Sequence, residues 1–89
     1  MKRIFKYILH TSVQSSFQMP ADAKVLCVQM QYDCPCIWAM VDDSAPTVER
    51  TFTVYGTGHP MSEDPGQYVG TFQMHGGELI FHVFEEAVK

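Results

Sequence analysis

The chain has 89 residues, 46% hydrophobic and 12% aromatic, which describes one small packed domain and excludes a disordered tail. Its formal charge of −4 argues against direct DNA binding, since nucleic acid selects basic patches and only Lys2, Arg3 and Lys6 cluster. The longest apolar run, Cys34 to Val41, falls well short of the ~18 residues of a membrane span, and three cysteines with one Cys34-Pro35-Cys36 pair make a poor disulfide framework. The basic start at Met1–Lys6 is not followed by the apolar run of a signal peptide, so a reducing cytoplasm and no membrane are expected.

Taken in order, the chain reads as strands. Residues 4–10 alternate, with Phe5, Tyr7 and Leu9 on one face and Ile4, Lys6, Ile8 and His10 on the other. Val13, Ser15, Phe17 and Met19 alternate with Gln14, Ser16 and Gln18, a polar outer face that suits a sheet edge. Pro20–Ala23 breaks the run, and Lys24–Gln31 follows as a third strand with Leu26, Val28 and Met30 as its apolar row.

After a turn at Tyr32–Pro35, Cys36–Val41 is apolar on both faces. Such a strand is central, or is half covered by another copy, and Trp38 within it is expected to pack in the core. Asp42–Pro46 is a polar loop, and Glu49–Tyr55 alternates with Phe52 and Val54 inward and Thr51 and Thr53 outward. A loop of about ten residues, Gly56–Gly66, is long for a hairpin. Tyr68, Gly70, Phe72 and Met74 then line one face of a sixth strand. His75-Gly76-Gly77 reads as a hairpin turn, and Glu78–Phe84 is the last strand, with Leu79, Phe81 and Val83 inward. Glu85–Lys89 is expected to be solvated and frayed. The expected fold is all-β: one domain over residues 1–89, about seven antiparallel strands, as a sandwich or partly open barrel.

Tyr55, Gly56, Thr57, Gly58 and His59 form the candidate ligand-binding stretch. It joins a strand end, two glycines and a titratable group. As a site, it would offer successive backbone N–H groups to an anion, with Thr57 and His59 completing the pocket and Tyr55 or Trp38 stacking on a base. As plain structure, it is a turn that uses positive φ, and it lacks the lysine and strand–loop–helix frame of a phosphate loop. His10, His59, His75 and His82 show no zinc-ligand spacing among themselves or with the cysteines, although His59 and His75, each beside a loop, are candidates to meet. Neither a metal nor a cofactor is expected. Ser62 or Cys36 with His59 and Glu63 or Asp64 would supply the residue types of a hydrolase without fixing their geometry. The acidic pairs Asp42-Asp43, Glu63-Asp64 and Glu85-Glu86 read as solvated, or as a mimic of phosphate charge aimed at a host protein.

Phe5-Lys6-Tyr7, Met19-Pro20, Val25–Gln29 and Trp38–Asp42, then Val54–Pro60, Tyr68–Gln73 and Gly76–Glu85, occur in an order that resembles a family of short tailed-bacteriophage and prophage proteins. That family is catalogued as a domain of unknown function. Asp22 departs from the glycine expected in its turn, a change that a left-handed backbone tolerates. The resemblance implies a phage origin and expression inside a bacterial cell and implies no reaction; in that context the chain is expected to be a non-enzymatic accessory protein in the host cytoplasm, binding a host protein or a small nucleotide signal in host takeover or counter-defence. Self-association into a homo-oligomer is expected, because the two-faced apolar strand needs cover. The alternatives are a structural β module of a phage particle or complex and a small metal-dependent or His-assisted hydrolase.

Overall fold

The computed structural model describes residues 1–9 and 14–87. The described residues form seven strands: β1 (Lys2–Ile8), β2 (Gln14–Pro20), β3 (Lys24–Gln31), β4 (Cys34–Asp42), β5 (Thr47–Gly56), β6 (Gln67–Met74) and β7 (Leu79–Glu85). All neighbouring strands pair antiparallel, in a three-stranded sheet ordered β1-β4-β3 and a four-stranded sheet ordered β2-β5-β7-β6. The two sheets pack face to face without closing into a barrel, so the sandwich is the form adopted. No helix among the described residues is long and apolar enough to cross a membrane. His10 and Val13, expected within the first and second strands, lie outside the described residues.

The period-two pattern sets the core. Met19, Ile37, Ala39, Val41, Phe52 and Val83 alternate inward from four strands and are fully enclosed. β3 and β4 meet through a two-residue turn at Tyr32-Asp33, both with positive φ (48° and 64°), the primed geometry that matches strand twist. The hairpin expected at His75–Gly77 is a three-residue 3-10 turn, and β7 starts after Glu78.

Two β-bulges overturn parts of the simple alternation. One between Val25 and Cys27 makes Leu26 an extra residue, so Leu26 faces solvent and Val25 takes its place against the core. The other, between Tyr68 and Gly70, makes Val69 the extra residue. Val69 packs inward, and Tyr68, expected in the same row as Gly70, turns to the outer face beside Phe84. Trp38 is likewise not a core residue. It pairs with Lys6 and Cys27 on the outer face of the three-stranded sheet and is half-buried, while Ile37 and Ala39 on either side point inward.

Two contacts tie the layers. β3 and β6 approach so closely that a Cβ on Gly70 would sit 2.6 Å from Val28 Cγ1. At the other tie, Arg50 on β5 donates two hydrogen bonds to the Glu85 carboxylate on β7 (2.5 and 2.8 Å) and one to the Ala23 carbonyl between β2 and β3 (2.6 Å). Both charged side chains are only 13% exposed, so Glu85 ends a strand in a fixed, paired position and is not part of a solvated tail. The carboxylate, ahead of the opposing effect of burial, pushes the Arg50 guanidinium above its ordinary pKa.

Gly70→Ala should cost about 1–3 kcal/mol in urea unfolding, because Val28 is a stiff, buried neighbour. Combining it with Val28→Ala should give a loss smaller than the sum of the two single changes, the sign of a direct contact. Glu85→Gln should cost about 1.5–3 kcal/mol by the same measurement, since it leaves the largely buried guanidinium without its charged acceptor.

Candidate functional site

The strand order makes the site. β5 and β6 both run antiparallel to β7, which lies between them, so they are parallel to each other. β5 ends at Gly56 opposite Phe81, whereas β6 begins at Gln67 opposite Glu85. The connection must therefore travel back along β7, and a parallel pair cannot be joined by a tight turn. The inner face is filled by the core, so the loop returns on the outer face. There it forms a groove of about 730 Å³ with the outward Tyr55, between Ser62, Asp64, Pro65 and Gly66 on the loop and Glu86 and Ala87 beyond β7. That volume is within the range of small-ligand sites. Gly66 closes the crossing: its φ is +92°, and a Cβ there would lie 2.0 Å from the Glu85 carbonyl oxygen.

The start of the loop is a turn. The His59 N–H donates to the Gly56 carbonyl (3.1 Å), and Gly58 sits third with φ +83°, the position and sign of a type II turn. The Thr57 N–H donates to the Ile80 carbonyl (3.1 Å). Two of the N–H groups offered to an anion by the sequence reading are thus bonded within the protein. The exposed His59 ring folds back over Gly56, where a Cβ would meet Nδ1 at 2.6 Å.

The five candidate residues divide between two places. Tyr55 lines the large groove, while Gly56, Thr57 and His59 border a separate hollow of about 170 Å³ against Glu78–Phe81. His75 borders neither; it lies at a third hollow with Met30, Asp33 and Gln73, apart from His59. Among the described residues no three His, Cys, Asp or Glu side chains are placed to hold a metal ion. Cys36 is enclosed on β4, where burial raises its thiol pKa, the opposite of what a nucleophile requires.

What the fold does assemble is a strip along the outer face of β5, β7 and β6. Tyr55, Phe84 and Tyr68 stand edge to face in a row, with ring centroids 5.9 and 5.4 Å apart. Beside them runs a hydrogen-bonded chain: Tyr68 hydroxyl to Thr71 Oγ1 (2.7 Å), Thr71 Oγ1 to His82 Nδ1 (2.9 Å), and His82 Nε2 to Thr57 Oγ1 (2.7 Å). The Thr57 hydroxyl can donate onward to the Ile80 carbonyl (3.3 Å). With the Thr57 hydroxyl donating there, the remaining roles follow. Thr57 accepts from Nε2–H, Thr71 donates to Nδ1, and Tyr68 donates to Thr71, so each hydroxyl of the two threonines both donates and accepts. At the opposite end of the strip, Glu86 accepts from Gln14 (2.7 Å) and Thr53 (3.3 Å).

Sequence reasoning placed His82 on an outer face but missed Tyr68, Thr71 and Phe84 as its companions on the strip, and Glu86 at the strip's other end. The bulge at Val69 hid Tyr68, because a period-two reading assigned it to the core row. The threonine pair gave no signal, since β-branched residues are ordinary on a wet strand face.

The chain matches the family described as a domain of unknown function, DUF7352, over residues 1–89, and it belongs to that family. No curated protein and no solved structure matches it.

In nitrogen-detected NMR of the neutral imidazole, His82 should appear as the Nε2–H tautomer. Thr71→Val removes the donor to Nδ1 and should shift that nitrogen most, while Thr57→Val should act mainly on Nε2.

Proposed function

We propose that this member of the DUF7352 family is a non-enzymatic binding protein and that its groove under the Ser62–Gly66 loop receives a basic side chain of a protein target. The observation that carries this reading is the groove's chemistry: Tyr55, whose ring packs T-shaped with Phe84, lines it together with the acidic residues Asp64 and Glu86. An aromatic face attracts a cation, Arg more often than Lys, and flanking carboxylates add charge-assisted hydrogen bonds. The net charge of −4 favours the same partners at longer range. On the resemblance to short phage proteins, the target proposed is a protein of an infected bacterial cell, and the action proposed is on host machinery.

A second reading has its own support. The Tyr55–Phe84–Tyr68 row, flanked by the Thr71–His82–Thr57 chain, is a stacking surface with adjacent donors and acceptors, as a nucleotide base requires. The carboxylates at one end and the internally bonded N–H groups of Thr57 and His59 weigh against a phosphate there.

Titration with arginine-rich, lysine-rich and acidic peptides, followed by NMR, separates the two. Arginine-rich peptide should shift Tyr55 and the loop, with a loss of about tenfold or more in affinity for Tyr55→Ala and for Asp64→Asn. Binding that ignores both substitutions overturns the proposal. Thermal stabilisation by a nucleotide, abolished by Tyr68→Ala, would transfer it to the second reading.

A further inference from the structure

We infer that two copies of this chain associate through β1, edge to edge and antiparallel about a two-fold axis at Phe5, joining their three-stranded sheets into one of six strands. The inference is independent of the ligand reading above.

Among the described residues β1 is an edge strand that pairs only with β4, over seven consecutive residues without bulge or proline. Natural edges are normally short, twisted or covered, because their free backbone groups template another strand. This one is open on both faces: Ile4 is 62% exposed, Ile8 51% and Phe5 36%. Phe5 and Arg3 point toward the other sheet and remain exposed, so that sheet does not cover this part of β1. The total surface, 5891 Å², exceeds the ~5300 Å² expected of a monomer of 10.1 kDa.

The hydrogen-bond parity of β1 is fixed by its ends. The Leu9 N–H donates to the Pro35 carbonyl, and the Asp43 N–H to the Met1 carbonyl, so odd-numbered residues turn their backbone groups to β4. The N–H and C=O groups of Lys2, Ile4, Lys6 and Ile8 therefore face the free edge. A two-fold pairing must place residues of the same parity opposite each other, and its centre decides the charges. Centred on Ile4, it sets Lys2 against the second copy's Lys6; centred on Lys6, it sets Lys6 against itself. Centred on Phe5, it sets Ile4 against Lys6 and Lys2 against Ile8, with no like charges opposed. The Lys2 stem can then lie along the second copy's Ile8, Lys6 keeps its hydrogen bond to Gln31 across β4, and the two Phe5 rings meet at a non-hydrogen-bonded position, where side chains are closest.

Sedimentation velocity on the whole chain should give twice the monomer mass, falling to one at low concentration. Ile4→Pro deletes an N–H that β4 does not use, and should leave a monomer with an unchanged circular-dichroism spectrum. In a Cys34→Ser background, Phe5→Cys should cross-link to a covalent dimer on mild oxidation, whereas Ile4→Cys and Lys6→Cys should not. The Phe5→Cys result stands even if Ile4→Pro fails to fold. A monomer at several hundred micromolar, a dimer unaffected by Ile4→Pro, or preferential cross-linking through residue 4 or 6 overturns the inference.

Discussion

β7 lies between β5 and β6, and much of the rest follows from that placement. Two strands that share a neighbour and are both antiparallel to it cannot be joined by a hairpin. The chain has to return the length of β7, with the core on one side and open solvent on the other. A loop crossing an exposed sheet face makes a groove, whose floor is whatever the strand beneath points outward. Here that is Tyr55, with Phe84 next to it. The groove is a consequence of connectivity, which is why its walls come from residues far apart in the chain.

The crossing needs a fixed far end. Gly66 passes beneath the reach of any side chain at the Glu85 carbonyl, and Glu86 donates its N–H to Thr51 immediately afterwards (2.8 Å). Glu85 is held from the inner side by Arg50, which also reaches Ala23. One guanidinium thus joins β5, β7 and the β2–β3 connection. A largely buried ion pair offsets much of its attraction by desolvation, so its worth lies in direction: it sets where β7 stops, and with it the acidic end of the groove.

The two bulges do comparable work on side-chain direction. Inserting Val69 rotates Tyr68 from the core row to the outer face, within reach of Thr71 and Phe84. Inserting Leu26 adds an exposed apolar residue to the outer face of the other sheet, beside Trp38. Lys6 reaches over β4 to Gln31 (2.6 Å), which helps enclose Cys36 on that face. The molecule therefore carries two dissimilar outer surfaces, one polar and aromatic around His82, the other apolar and bounded by the bare edge of β1.

Alternation along the chain was enough to establish seven strands, their inward residues Phe52, Val54 and Val83, and a long loop between the fifth and sixth strands. Those are local properties, carried by period two and by turn residues, and each is written in a few consecutive positions. Strand order, the outward turn of Tyr68 and Trp38, the Arg50–Glu85 pair and the separation of Tyr55 from His59 were decided only in the folded chain. They depend on which strands become neighbours and where an extra residue enters a ladder, and both are settled by packing between segments that the sequence keeps tens of residues apart.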